Sequence, residues 1–374
     1  MSPATIFSAV VFLPSYEATP EAQEVIEVVR AAESLYDPLR VEYRSVMTRS
    51  PETIADDRRN KERETSPRTL VSKNDSVTVF HREGEREYSL MTSDNDALSE
   101  VYANRVELCF DGRQTTLIDS TESEDEESSP LVNFIDSPIP NKWRLTPHGM
   151  VFGTARRPWP LADYLSGLEL SEQATLVPYP WGMTVERLPD DTFEGEPCVV
   201  LRLDFKHEGT DDDEWTTRRD IWLAVEKNHI PVQMKTYTAW ASKDLPMSFA
   251  VAGEFKEALP GVWYPESATT VVRDRMKYRN STEVVERYRR TTEVVSLSIT
   301  TPLPDDICES VETPAGAVVF TVKNDKIVSA EQSLPQPPDG VKSVEGRPAE
   351  GGRWLWFVVG AGLAVAGVLL WRRR

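Results

Sequence analysis

The chain predicts a mainly β (α+β) protein, one large antiparallel sheet closed by helices, followed by a C-terminal transmembrane helix. Three observations carry this. Between Val41 and Val322, segment after segment alternates apolar and polar residues with period two. Ahead of them stands one amphipathic helix with a capping residue. The chain then closes on RWLWFVVGAGLAVAGVLLWRRR, in which the eighteen residues Trp354 to Trp371 carry no charge.

Residues 1–18, MSPATIFSAVVFLPSYEA, read as a truncated signal peptide. Ile6 to Leu13 supply a short apolar stretch, Pro14 breaks it and Ala18 precedes a cleavage site, but no Lys or Arg stands before Arg30 and Tyr16 violates the small-x-small rule. A mis-assigned start explains the missing basic residues. The helix follows from Pro20 to Tyr36, with Thr19 as N-cap, Pro20 at the first helical position and Glu21 in the first turn. Val25, Ile26, Val29, Ala32 and Tyr36 share one face, which needs a partner.

That partner is the sheet. In CVVLRLDF, Val199, Leu201, Leu203 and Phe205 point one way and Arg202 and Asp204 the other. RRDIWLAV repeats the pattern, with Ile221, Leu223 and Val225 opposed by Arg218, Asp220 and Trp222. Further strands are expected at Val41–Thr48, Val77–Phe80, Glu87–Met91, Val106–Phe110, Gln114–Ile118, Val232–Trp240, Ser248–Phe255, Trp263–Arg273, Val284–Ile299 and Ala317–Val322. Gly84, Asp111-Gly112, Glu194-Gly195, Asn228, Pro260-Gly261 and Asn324-Asp325 mark the turns. The body thus spans 19–327, interrupted by an acidic loop at 121–130 and a Pro- and Trp-rich insert at 133–181, which holds a helical fragment at Pro160–Leu168. A Pro- and Gly-rich linker at 328–353 leads to the span.

Eighteen residues at about 1.5 Å rise just cross a hydrocarbon core. Trp354, Trp356 and Trp371 lie where indoles favour headgroups, and Arg372, Arg373 and Arg374 form a basic cytoplasmic tail. The body is therefore expected outside the cytoplasm, tethered to the inner membrane. A tail-anchored protein with a cytoplasmic body is the alternative, which the terminal arginines oppose. Gly360 and Ala364 give a small-xxx-small spacing that can pack two such helices.

The net charge of −19 repels phosphate backbones and anionic headgroups, so nucleic acid is excluded as a partner. Cys109, Cys198 and Cys308 are too few for a disulfide scaffold or zinc cluster; one bridge with an odd thiol, or three buried thiols, both fit. No catalytic residue, metal or cofactor is expected. His81, His148, His207 and His229 form no motif, HEGTD lacks the second histidine of a zinc-protease helix, and TDDDEW lacks the spacing of a calcium loop. Serine-elbow, P-loop and dinucleotide glycine patterns do not occur.

SLYDPLRVEYRSVMTR, RDIWLAVEKNHIPVQMKTY, FKEALPGVWYPESATT and PLPDDICESVETPAGAVVF together resemble the outer-membrane lipoprotein-sorting (LolA-like) bacterial envelope proteins, over roughly Glu33 to Val322. The resemblance implies a curved, incomplete antiparallel barrel, a half-barrel closed by helices, whose concave apolar face receives acyl chains. Leu201, Leu203, Phe205, Leu223, Val225, Phe249 and Val251 are the expected lining. Two function classes follow. One is a membrane-anchored binding protein for a lipid or lipoprotein acyl chain, with an accessible apolar cavity. The other is an envelope sensor of the kind that partners anti-sigma regulators, with a filled core and a surface for another protein.

Overall fold

The computed structural model describes residues 16–51, 53–54, 71–97, 101–123, 130–136, 145–152, 160–167, 181–207, 217–239, 244–273, 286–309, 311–314, 316–323 and 326–332. Among the described residues, the helices α1 (Pro20–Glu33) and α2 (Leu161–Leu165) accompany eighteen strands. The first seven strands are β1 (Tyr16–Ala18), β2 (Leu39–Arg49), β3 (Val71–Glu83), β4 (Arg86–Ala97), β5 (Val101–Phe110), β6 (Thr115–Ser123) and β7 (Leu131–Ile135). Next come β8 (Trp181–Phe193), β9 (Glu196–His207), β10 (Thr217–Ala224), β11 (Ile230–Thr238), β12 (Ser248–Ala252), β13 (Phe255–Leu259) and β14 (Val262–Pro265). β15 (Ser267–Arg273), β16 (Glu286–Ser298), β17 (Val318–Lys323) and β18 (Lys326–Gln332) complete the series.

Sixteen of these form one sheet, in the order β1-β8-β9-β10-β11-β12-β15-β16-β2-β3-β4-β5-β6-β7-β17-β18. Most pairs are antiparallel, as the alternation predicts. The sheet is nevertheless mixed, because β1 pairs parallel with β8 and β17 parallel with β7. Both exceptions join segments distant in sequence, which a rule of neighbouring hairpins does not reach. β18 runs through Val328–Gln332, so the expected linker begins inside a strand that pairs with β17. The long strands expected at Ser248–Phe255 and Trp263–Arg273 each break in two, and β13–β14 leaves the main sheet as a separate hairpin. Gly253 stands at the first break, where it donates to Ser267 O at 2.7 Å in a close approach that leaves no room for a Cβ beside Ser267 Oγ.

The first helix starts as its cap dictates. Thr19 is extended and its hydroxyl accepts from Ala22 N at 3.2 Å, while Ala22, Val25, Ile26, Val29 and Ala32 are buried on one face. It ends at Glu33, and Ser34–Tyr36 continue as a 3-10 turn.

Pairing register divides the sheet's residues between two faces. Leu201, Ile221, Met234, Ala250 and Thr270 form one row across five strands, and the row continues through Arg290 to Met47. Further along the same face lie Tyr43 with Thr78 and Val41 with Phe80. This is the core face. Over β8–β12 it is covered by α1 and α2, whose Ile26, Val29, Leu161 and Leu165 pack among Leu201, Leu203, Ile221 and Leu223. Over β2–β3 the cover is Tyr36, Leu145, Met150 and Ile299, with Trp263 of the hairpin. Fully burying one such aliphatic side chain contributes about 1.5–3 kcal/mol.

The opposite face is treated differently in the two halves. Across β3–β6 it is crossed by the segment from Ile299 to Ala317. His81 Nε2 lies 3.1 Å from Thr301 O, Glu83 accepts from Leu303 N at 3.2 Å, and Arg86 donates to Asp305 at 2.8 Å. A disulfide joins Cys109 to Cys308, and Ala317 with Val311 packs on Ile118 and Val132. Cys198 is the odd thiol, buried between strands. Of the two cysteine readings open to the sequence, the one with a bridge is the observed one.

Candidate functional site

The end of the core face beyond Leu201 carries the chemistry. One row there aligns Val185, Leu203, Arg219, Thr236 and Ser248, and the next aligns Met183, Phe205, Thr217 and Thr238. Leu203 and Met183 are fully buried, so an arginine stands beside an apolar floor. Its guanidinium sits 5.5 Å from the Tyr164 ring and 5.3 Å from the Phe205 ring. Nη1 donates to the Tyr164 hydroxyl. Among the described residues, the buried Nε of Arg219 has no hydrogen-bond partner, and the same is true of Thr238 Oγ1.

Tyr164 reaches this arginine because α2 is held by α1. Glu33, in the last turn of α1, accepts from the backbone N–H of Leu161 at 2.7 Å and of Ala162 at 3.0 Å. Burial pushes the Glu33 carboxyl up, against the downward pull of those two amides. Arg30 adds a bond to Ser166 Oγ at 2.9 Å, and Tyr16 donates to Leu165 O at 3.0 Å. Most polar ties therefore run between the helices and along β1, whereas toward β9 and β10 the contacts are apolar apart from the bond from Arg219 to Tyr164.

A second polar centre lies under the hairpin. Asn228, in the left-handed region at φ 54, accepts from Trp263 N at 2.8 Å and donates to Gly261 O at 3.0 Å. Tyr36 donates its hydroxyl to Trp263 O, and His148 Nε2 lies 2.9 Å from Asn228 O. His148 is fully buried, edge-on to Tyr36, and burial pushes its pKa down to about 4. Burial also drives the Tyr36 hydroxyl well above its ordinary range. This centre joins β13–β14 to the 3-10 turn at Pro147–Phe152; its hydrogen bonds are internal, and it reads as a structural tie.

Of the expected lining residues, Leu201, Leu203 and Leu223 are fully buried on the core face beneath the helices, with Phe205 half-buried at its end. Val225, Phe249 and Val251 are elsewhere. Val225 begins a 3-10 turn after β10 and is 42% exposed, because the strand ends at Ala224. Phe249 pairs with Lys235 and Val251 with Gln233, so both face away from the core, and Arg273 stacks 5.5 Å from the Phe249 ring. Their neighbours Ala250 and Ala252 take the core positions, a one-residue difference in phase. Sequence reasoning overlooked Arg219, Tyr164 and Thr238. The alternation that sends Arg218 and Asp220 outward sends Arg219 inward, so the signal for the arginine was in RRDIWLAV itself.

Among the described residues no helix is long and apolar enough to cross a membrane, and no group of three potential metal ligands occurs. The expected signal peptide except 16–18, TDDDEW, most of the acidic loop, and the anchor residues Trp354, Trp356, Gly360, Ala364, Trp371, Arg372, Arg373 and Arg374 lie outside the described residues.

No family model matches the chain, and no curated protein does. Among solved structures, it is similar to a domain described as an outer membrane lipoprotein-sorting protein from Vibrio parahaemolyticus, at 11% identity and TM-score 0.36, over 78% of this chain and 98% of that one. A second is a beta-barrel-like protein of the domain of unknown function DUF1849 from Brucella abortus, at 10% identity and TM-score 0.24, over 70% of this chain and 97% of that one.

Proposed function

We propose that this protein is a membrane-anchored extracytoplasmic binding protein for a hydrophobic ligand, a lipid or a lipoprotein acyl chain, held where the sheet curls into a half-barrel. The observation that carries the reading is the cover of the core face: α1 and α2 hold each other by several directed hydrogen bonds and meet β9 and β10 through apolar contacts, with one directed bond, from Arg219 to Tyr164. Such a cover exchanges for an acyl chain at the loss of that one directed bond to β10, since the remaining apolar contact is non-directional. The Cys109–Cys308 bridge agrees with an oxidising compartment, and the uncharged segment at 354–371 supplies the tether.

Titration calorimetry with decanol tests this on the full chain in nonionic detergent. Saturable one-to-one uptake with a negative heat-capacity change is expected, and Leu203→Glu, with an unchanged circular dichroism spectrum, loses it. Absence of saturable uptake by the wild type contradicts the proposal.

One observation favours the envelope-sensor reading: Leu201, Leu203 and Leu223 are filled over by the protein's own helices. Its surface would be the outer face of β9–β12, where Trp222, Tyr237 and Arg218 are half-buried. Failed decanol uptake together with loss of a native partner on Trp222→Ala would establish it.

A further inference from the structure

We propose that Arg219 and Thr238 bind the anionic end of a single-chain amphiphile, a carboxylate or phosphate whose hydrocarbon lies along Leu203 and Phe205. This rests on the hydrophobic-ligand reading and names the ligand's chemistry.

The argument begins with what the arginine lacks. Its neighbour Arg218, facing outward, meets Asp204 through two bonds of 2.7 Å, and Arg202 meets Asp220 through two of 2.8 and 3.0 Å. Arg219 faces the core between them and, among the described residues, meets no carboxylate, although the chain carries sixty-one Asp and Glu against forty-two Lys and Arg. Arg219 is half-buried, and its buried Nε, set against an apolar floor without an acceptor, is costly unless something supplies one.

Its surroundings are built to receive an anion. The aromatic rings of Tyr164 and Phe205 fix the guanidinium, and the bond to the Tyr164 hydroxyl occupies one of its five N–H groups. Of the four buried side-chain atoms that lack partners among the described residues, Arg219 Nε and Thr238 Oγ1 are two. They stand on adjacent strands of the same face. Thr236 lies opposite Arg219 and Thr238 two residues further along, which sets Arg219 and Thr238 as diagonal neighbours about 7–8 Å apart at Cα. An oxyanion between them takes the arginine's fork and the threonine's hydroxyl together. Behind that point the floor is Met183, Leu203 and Phe205, suited to methylenes.

The test uses the full chain in nonionic detergent and four probes: decanoate, decanol, acetate and inorganic phosphate. Calorimetry at neutral pH is expected to give decanoate about tenfold or more the affinity of decanol, as a hydrogen-bonded charge contributes. Arg219→Gln brings decanoate down to decanol's affinity and leaves decanol unchanged, Arg219→Lys restores part of the preference, and the exposed control Arg105→Gln changes neither. Thr238→Val, which keeps the shape, lowers decanoate alone. Equal binding of decanoate and decanol by the wild type overturns the anion site while leaving the hydrophobic-ligand reading standing, and so does an equal fall of both in Arg219→Gln and Thr238→Val. Acetate or phosphate binding as tightly as decanoate overturns the amphiphile in favour of a free anion. Binding of none of the four overturns both.

Discussion

The two halves of the sheet use the same alternating strands but are covered differently. Over β2–β3 the core face is filled by Tyr36, Leu145 and Met150, and across β3–β6 the other face is crossed by a segment held through His81, Glu83, Arg86 and a disulfide. Over β9–β11 the core face is covered by two helices, and the other face carries partly buried ion pairs, with an apolar cluster around Cys198 and Trp222 at one end. A sheet packed and bonded on both faces is a wall. One covered mainly by apolar contact can exchange its cover, and that half holds the arginine that meets no carboxylate among the described residues.

The largest expected effect falls on the wall. Cys109 and Cys308 are 199 residues apart in sequence, so their bridge restricts the unfolded chain strongly. Replacing both by Ala lowers stability by about 3–5 kcal/mol in urea unfolding; a loss under about 1 kcal/mol would mean that the crossing segment is held without it. A second contrast sharpens the comparison of outward faces. Ile118 is buried beneath Ala317, whereas Phe249 is half-buried against Arg273. Ile118→Ala is expected to cost about 2–4 kcal/mol, and Phe249→Ala, despite the larger side chain, less than that. The reverse order, read from the same unfolding curves, breaks the distinction between the halves.

A smaller effect concerns His148, held neutral by burial with a pKa of about 4 against 6.5 when free. Between those values the unfolded chain binds the extra proton, so stability is complete above pH 6.5 and falls as pH drops toward 4, by about 3 kcal/mol at most. His148→Gln flattens that slope. An unchanged slope between pH 7 and 4.5 assigns the acid sensitivity to other groups.

Much of the fold is legible in the residues. Thr19 caps α1, and the rows through Leu201 and Ile221 face the core as period two requires. What local pattern does not carry is long-range: the parallel pairings of β1 and β17, the bridge chosen from three cysteines, and the close approach of Gly253 to Ser267 just after β12. SFAVA shows the limit most clearly. Phe249 and Val251 are larger than Ala250 and Ala252, so size assigns them inward, yet the register with Met234 puts the alanines there, where the core cluster leaves little room. The site was half legible. Its apolar floor follows from alternation, but Tyr164 arrives from a separate helix positioned by Glu33, and that Arg219 Nε has no partner among the described residues is visible only once its neighbours are placed.

The most direct measurement is hydrogen exchange, followed by mass spectrometry, on the full chain in nonionic detergent with and without decanoate. If α1 and α2 are the exchangeable cover, their amides exchange faster than those of β2–β5 in the free protein and change protection when decanoate is added, while β2–β5 stay as they were. Amides of α1 and α2 as protected as the wall, and indifferent to decanoate, would contradict the account.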